Sequence, residues 1–287
     1  MFRNDFAILL LTHGRAEHIV TIKALERAGY TGKLYIVIDD EDEQEPIYRQ
    51  KYGDKVIRFC KKEIDAWTDR GDNRAEDKRA ILWARNASFE IAKKLGLTYF
   101  MMLEDDQPWI ATKSTNERRE FLHQVHIRHF EDFLNLGIRF LDATGAKTIC
   151  FGQGGDLIGG LKGGVERAFV KYKAMNSFIC RADNPIRFAG RFNEDVTWYC
   201  RGWLTGHEMY SIMPIIFGQI ATQTNKGGMS EAYKGIGTYV KSLMSALYAP
   251  ACVKVSILKG NHWDRVHHKV NWNHTKPCIL RENWKKK

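Results

Sequence analysis

Three consecutive acids, Glu104, Asp105 and Asp106, close a short apolar run from Tyr99 to Leu103. Three adjacent carboxylates repel one another, and such a cluster is relieved by a hard divalent cation with oxygen ligands. Carboxylates at the C-terminal end of a buried strand also stand where open α/β sheets bind ligands. A solvated acidic turn after an edge strand is the simpler alternative. A second pair of acids, Glu194 and Asp195, lies in the run Gly190-Arg191-Phe192-Asn193-Glu194-Asp195-Val196. A carboxylate within about 3 Å of a hydroxyl can take its proton as that oxygen attacks. The bland reading is a helix start, with Asn193 as cap and two acids in the first turn. No Ser or Cys nucleophile stands out.

Two turns upstream could face a nucleotide. Thr12-His13-Gly14-Arg15 follows the apolar run Phe6 to Leu11, and Asp39-Asp40 follows Leu34 to Ile38. A polar turn between a first strand and a helix is a phosphate-facing position. An acid after the second strand can accept hydrogen bonds from a ribose or a base. Histidines are concentrated near the end of the chain, where His262, His268 and His274 lie in or beside polar segments and Lys276 follows. His267 and His268 cannot both face one point on a regular strand. His123, His126 and His129 recur every third residue. On a helix they would share a face with Arg128, and Glu120 would continue the row.

The elements that must position these groups alternate in the first half. Strands are predicted at Phe6 to Leu11, Leu34 to Ile38, Lys55 to Cys60 and Tyr99 to Leu103, with helices over Glu17 to Ala28 and Ala75 to Lys94. This βαβ alternation predicts a mostly parallel, Rossmann-like sheet with helices on both faces. Apolar spacing predicts a helix over Arg118 to Leu141, and Thr148 to Phe151 reads as a strand. Seven glycines in thirteen residues fill Gly152 to Gly164. Such a segment suits a loop or a close backbone approach to a ligand. Beyond it, Ala174 to Arg181 and Thr197 to Trp203 read as strands, and Ser211 to Ala221 is a further apolar run. Ser242 to Tyr248 reads as a helix and Cys252 to Leu258 as a late strand.

The chain has 287 residues, 44% of them hydrophobic, which is enough for one large α/β domain. No apolar run reaches the roughly 18 residues needed to span a bilayer. The stretch Phe6 to Leu11 is too short for a signal peptide and follows an acid, so a cytoplasmic protein is expected. Six cysteines contain no CxxC pair and read as buried free thiols. The net charge of +10 favours a polyanionic partner.

The order along the chain resembles the GT-A glycosyltransferases: a β1 turn, an acid after β2, Ala84-Arg85-Asn86, a strand ending in Glu104-Asp105-Asp106, and the downstream Glu194-Asp195 element. The Asp-x-Asp motif of those enzymes reads here with Glu in its first place. The whole chain resembles a phage-type group within them, the TET-associated glycosyltransferases, in size, basic charge, Asn193 to Tyr199 and the histidine-rich end. This resemblance implies one catalytic domain over residues 1–287, with a nucleotide-sugar half at 1–110 and an acceptor half, of mixed structure, at 111–287. It implies a sugar-nucleotide donor, a UDP-sugar, held by Thr12, His13, Arg15, Asp39, Asp40, Arg85, Asp105 and Lys276. A divalent metal, Mn²⁺ or Mg²⁺, would be held by Glu104, Asp106 and His274. Asp195 would be the catalytic base, with Glu194 second, in an inverting displacement. The acceptor it implies is 5-hydroxymethylcytosine in DNA, flipped or unpaired so that its oxygen reaches the sugar. Trp198, Tyr199, Arg201 and Trp203, aromatic residues beside basic ones, are the candidate acceptor-binding residues, with strand packing as their alternative. A GT-A enzyme acting on a polysaccharide, lipid or protein remains open, as does a non-catalytic basic DNA-binding protein.

Overall fold

The structure, a computed structural model, describes residues 2–72, 80–115, 122–153, 170–220, 237, 239–259 and 264–275. Its first half follows the alternating pattern. β1 (Phe6–Leu11), β2 (Lys33–Asp39), β3 (Val56–Phe59) and β4 (Tyr99–Glu104) alternate with α1 (Val20–Arg27), α2 (Glu45–Tyr52), α3 (Lys61–Asp65) and α4 (Leu82–Lys94). Every residue of β1 is buried, because β2 and β4 flank it in parallel and helices cover both its faces. A strand buried on both faces reads as a continuous apolar run, and this one does.

Beyond β4 come β5 (Ile110–Thr115), β6 (Leu122–His126), α5 (Phe130–Thr144), β7 (Thr148–Gln153), β8 (Val170–Lys171), β9 (Ser177–Arg181), α6 (Glu194–Leu204) and β10 (Met209–Phe217). The described strands join one ten-stranded sheet in the order β3-β2-β1-β4-β9-β7-β10-β5-β6, with β8 on β10. Pairing is parallel from β3 to β4. It turns antiparallel where β9 enters between β4 and β7, and β10 returns to run parallel with β7. After β10 the described residues include α7 (Tyr239–Tyr248) and a separate antiparallel ribbon of β11 (Val253–Leu258) and β12 (Arg265–Val270).

Successive residues of a strand point to opposite faces, and the core divides accordingly. Ala7, Leu9, Leu11, Phe100 and Met102 pack with Trp83, Phe89, Val196, Trp198 and Tyr199 of α4 and α6. Phe6, Ile8, Tyr99, Met101 and Leu103 pack with Leu25, Phe130, Leu134 and Ile138 of α1 and α5. The register sets Leu11 opposite both Val37 and Glu104. The residues that follow β1, β2 and β4 therefore meet at one edge of the sheet.

Two elements differ from the sequence reading. Thr197 to Trp203 lies in α6, not in a strand. Val196 to Cys200 are all buried, so the segment lacks the polar stripe that marks a surface helix. The region read as one helix over Arg118 to Leu141 contains strand β6, paired antiparallel with β5, before α5 begins at Phe130. His126 thus closes a strand and His129 stands at the N-cap of α5. In an extended chain a spacing of three makes no common row, and Glu120 lies outside the described residues. Cys150, Cys180, Cys200 and Cys252 are buried free thiols and Cys60 is half-buried. No helix among the described residues is long and apolar enough to cross a membrane.

Candidate active site

The edge where β1, β2 and β4 end gathers the acids in a hydrogen-bonded frame. Thr12, immediately after β1, donates its hydroxyl to Asp105 Oδ2 at 2.6 Å and lies 3.2 Å from the Tyr48 hydroxyl. Arg15 Nη1 donates to the other Asp105 oxygen at 2.8 Å. The Arg15 amide donates to Tyr48 and the Gly14 amide to Asp42 Oδ2, both at 2.8 Å. Asp105 is therefore spent on holding the β1 turn against the end of β4. Its backbone carbonyl accepts from Val20, at the start of α1.

A second cluster follows β2. His13 Nδ1 lies 2.9 Å from Asp39 Oδ2, and Lys61 Nζ lies 3.2 Å from Asp39 Oδ1. Burial opposes ionisation of Asp39, but His13 and Lys61 outweigh it and hold the carboxyl below its ordinary range. The same bond raises the imidazole of His13. Asp40 accepts from the Lys61 amide at 2.8 Å.

The link to the downstream acids is Arg85. It is buried on α4, with its guanidinium over the rings of Phe178 and Phe188. Nη2 donates to Glu104 Oε1 at 2.5 Å and Nη1 to Glu194 Oε1. Asn176, in a left-handed conformation at φ 53°, accepts from Nη2 at 3.3 Å. One guanidinium offsets one full negative charge, and two carboxylates share this one. Burial therefore pushes both Glu104 and Glu194 above the ordinary carboxyl range despite Arg85.

Asp106 is bound differently. Its Oδ1 is buried and has no hydrogen-bond partner among the described residues. Burial, and then the charge of Asp105, push its carboxyl up to about 6. A buried polar atom without a partner is costly, and an all-oxygen donor set suits a hard cation. This site fits a divalent metal through Asp106, with Glu104 beside it.

Asp195 opens α6 next to Glu194. Its Oδ1 accepts the Val196 amide at 2.7 Å. The preceding Asn193 is left-handed, at φ 53°, and its side chain does not cap the helix. Instead Nδ2 shares its two hydrogens among three acceptors, Lys241 O at 3.1 Å, Ser245 Oγ at 3.2 Å and His268 Nδ1 at 3.1 Å. Burial pushes His268 down to about 4, with His267 and Lys241 adding to it. A neutral ring that accepts at Nδ1 carries its proton on Nε2.

The other expected site residues lie apart from these. His274 is exposed, with Nδ1 3.2 Å from Ala251 O. Among the described residues no three His, Cys, Asp or Glu side chains are grouped to hold a metal, so Glu104, Asp106 and His274 do not form one set. Lys276 and His262 fall outside the described residues. Tyr199 is buried and stacks on Trp272 at 5.6 Å. Trp203 donates to Tyr172 O at 2.9 Å. Trp198 and Arg201 line a cavity of about 590 Å³ further along α6, with Trp67, Arg187, Phe188 and His207. Tyr48, Asp42, Lys61, Asn176 and Asn193 were not singled out for this frame in the sequence. Each sits far along the chain from its partner, and only Asn193 lies in a quoted motif, where it reads as a helix cap.

A model of the TET-associated glycosyltransferase family matches residues 6–228. The chain belongs to this family. It is an enzyme, a glycosyltransferase, and its α/β sheet is of the kind expected for a GT-A type. No curated protein sequence matches it. Among solved structures it is similar to glucosyl-3-phosphoglycerate synthase from Mycobacterium tuberculosis in complex with Mg²⁺ and UDP. That likeness has 9% identity and a TM-score of 0.46, over 92% of this chain and 86% of that one. It is also similar to a mannosyltransferase from Pyrobaculum calidifontis in complex with GDP-Man and Mn²⁺. There the identity is 9% and the TM-score 0.46, over 86% of this chain and 74% of that one.

Proposed function

We propose that this glycosyltransferase uses a divalent cation to transfer a sugar, with inversion, from a nucleoside diphosphate donor to the hydroxymethyl group of a pyrimidine in DNA. One observation carries the reading: buried Arg85 binds Glu104 at the end of β4 and Glu194 at the start of α6. It brings the acidic triplet and the downstream acid pair to one place, through a contact between Arg85 and Glu194 that spans 109 residues of chain. The two residues beside that link, Asp106 and Asp195, are the reactive ones.

Asp106, whose buried Oδ1 lacks a partner, would hold the cation, with Glu104 next to it. Two protein carboxylates would leave diphosphate oxygens and water to complete the oxygen ligands of the cation. The cation would offset charge developing on the leaving diphosphate. Thr12, Arg15 and Asp105 fix the β1 turn that lines the donor site. His13, Asp39 and Asp40 form the neighbouring cluster, on the side of the nucleoside. Asp195 accepts the proton of the attacking hydroxyl. Glu194 is spent on Arg85 and acts by position. Catalysis runs in one displacement, without a covalent intermediate.

DNA as acceptor is supported by the family name and by the net charge of +10. The test is direct. The protein is incubated with Mn²⁺ or Mg²⁺, a panel of sugar nucleotides, and DNA with or without 5-hydroxymethylcytosine, and released nucleosides are weighed by mass spectrometry. A hexose shift on the modified base alone is expected. A shift on no nucleoside with any donor, while a glycan or lipid acceptor is modified, removes the DNA reading.

A further inference from the structure

The ribbon of β11 and β12 lies outside the main sheet and beyond the residues matched by the family. Its register pairs Val253 with Val270, Val255 with His268, and Ile257 with Val266 on one face. That face packs at its base. Val253 is buried, Val270 meets the main core, and His268 meets Asn193. The other face pairs Lys254 with Lys269, Ser256 with His267, and Leu258 with Arg265. Lys254, Arg265 and Lys269 are all exposed.

Two lysines directly opposite one another on a ribbon destabilise it. Nothing nearby relieves them: among the described residues no carboxylate pairs with Lys254, Arg265 or Lys269. Asp264, the single acid between Cys252 and Thr275, is taken by Lys259 at the ribbon's tip, at 2.5 Å. Lysines also guard an exposed strand edge against pairing, but that purpose does not call for stacking them across one face.

We propose that the basic face of this ribbon is a docking surface for double-stranded nucleic acid. It grips the duplex by its phosphates, on an element that is itself anchored to the start of α6. The proposal rests on the nucleic-acid reading of the acceptor and names the element that holds it. A two-stranded ribbon fits the major groove, which is about 12 Å wide. Cations that touch phosphate fix register and orientation, whatever the base sequence. The opposite face supplies the link to chemistry. His268 is bonded to Asn193, the residue before Glu194 and Asp195. A duplex seated on the basic face is therefore held by an element anchored to the start of α6, the helix that carries the proposed base.

The test compares the full chain with Lys254→Gln/Arg265→Gln/Lys269→Gln. Both are titrated with an unmodified 20-base-pair duplex over a series of salt concentrations, and with vesicles of anionic lipid. Each lost phosphate contact removes about 0.9 from the slope of log affinity against log salt. The variant's slope should be shallower by about 2 to 3, and its KM for modified duplex should rise with kcat kept. It should unfold no earlier than wild type, since the opposed lysines are gone. If wild type binds duplex and the variant keeps both slope and KM, the ribbon is not the docking surface, while the acceptor reading stands. If wild type binds vesicles but no duplex at low salt, the acceptor reading itself falls, and this proposal with it.

Discussion

The Arg85 guanidinium donates to Glu104 at 2.5 Å from a wholly buried position, and its other nitrogen holds Glu194. One cation thus ties the end of β4 to the start of α6. Removing one partner of a buried ion pair leaves uncompensated charge and costs about 3–5 kcal/mol. Arg85→Ala should lose stability on that scale in denaturant titrations. Arg85→Lys should recover only part of it, because an ammonium cannot fork between two carboxylates. Wild-type stability in Arg85→Ala would show that the triad does not hold the site together.

Asp106 carries a different expectation. Its buried Oδ1 has no partner among the described residues, so neutralising the carboxylate removes a cost while removing a ligand. Asp106→Asn should be at least as stable as metal-free wild type, yet inactive, with its melting temperature unmoved by Mn²⁺. Wild type in excess chelator should match it in activity. Full turnover by Asp106→Asn, or by the chelated enzyme, would remove the metal from this site.

Asp195 and Glu194 are adjacent but should respond in different ways. Asp195→Asn keeps shape and cannot accept a proton, so transfer should fall by about 100-fold or more, the scale of a positioned base, with donor affinity kept. Glu194→Gln keeps an oxygen acceptor for Arg85 and removes a carboxyl that burial pushes up, so it should cost little stability and leave most of the transfer in place. If Asp195→Asn unfolds readily while its folded fraction works normally, Asp195 is only part of the helix start.

The pair His13 and Asp39 sets a pH window. Asp39 raises His13 above its ordinary value, so its stabilisation is full below the unfolded His pKa of about 6.5 and is lost as pH rises through the folded value. Asp39 is lowered, so its contribution is present above about pH 4 and is lost as pH falls through the folded value. The stability gap between wild type and His13→Gln should therefore be widest between about pH 4 and 6.5 and should close on the alkaline side. A gap that widens with rising pH would contradict the pairing.

How much of this was legible in the sequence follows from where each residue's partner lies. β1 and β4 are apolar runs because both faces are covered, and their ends are marked by Thr12 and Glu104. The acidic edge could be read for that reason. α6 could not: Thr197, Trp198, Tyr199 and Cys200 are all buried, and β-branched and aromatic residues in an unbroken apolar run look like a strand. β6 was hidden because its pairing with β5 is a tertiary fact. The contacts of Arg85 with Glu194 and of Asn193 with His268 span 109 and 75 residues. No local pattern encodes either.

Asn193 combines two roles that substitution can separate. Its φ of 53° lies in the left-handed region, which Asn tolerates and most other residues do not. Its amide nitrogen joins α6 to α7 and to β12 through Lys241, Ser245 and His268. Asn193→Gly keeps the backbone and loses the bonds, while Asn193→Ala loses the bonds and keeps a Cβ without the polar side chain that offsets its clash, a penalty of about 1–2 kcal/mol. The alanine variant should therefore be the less stable of the two by about 1 kcal/mol or more in chemical denaturation. Both should loosen the ribbon, seen as faster amide hydrogen exchange over β12. If glycine restores wild-type exchange there, the amide bonds do not anchor the ribbon, and backbone shape alone accounts for Asn at this position.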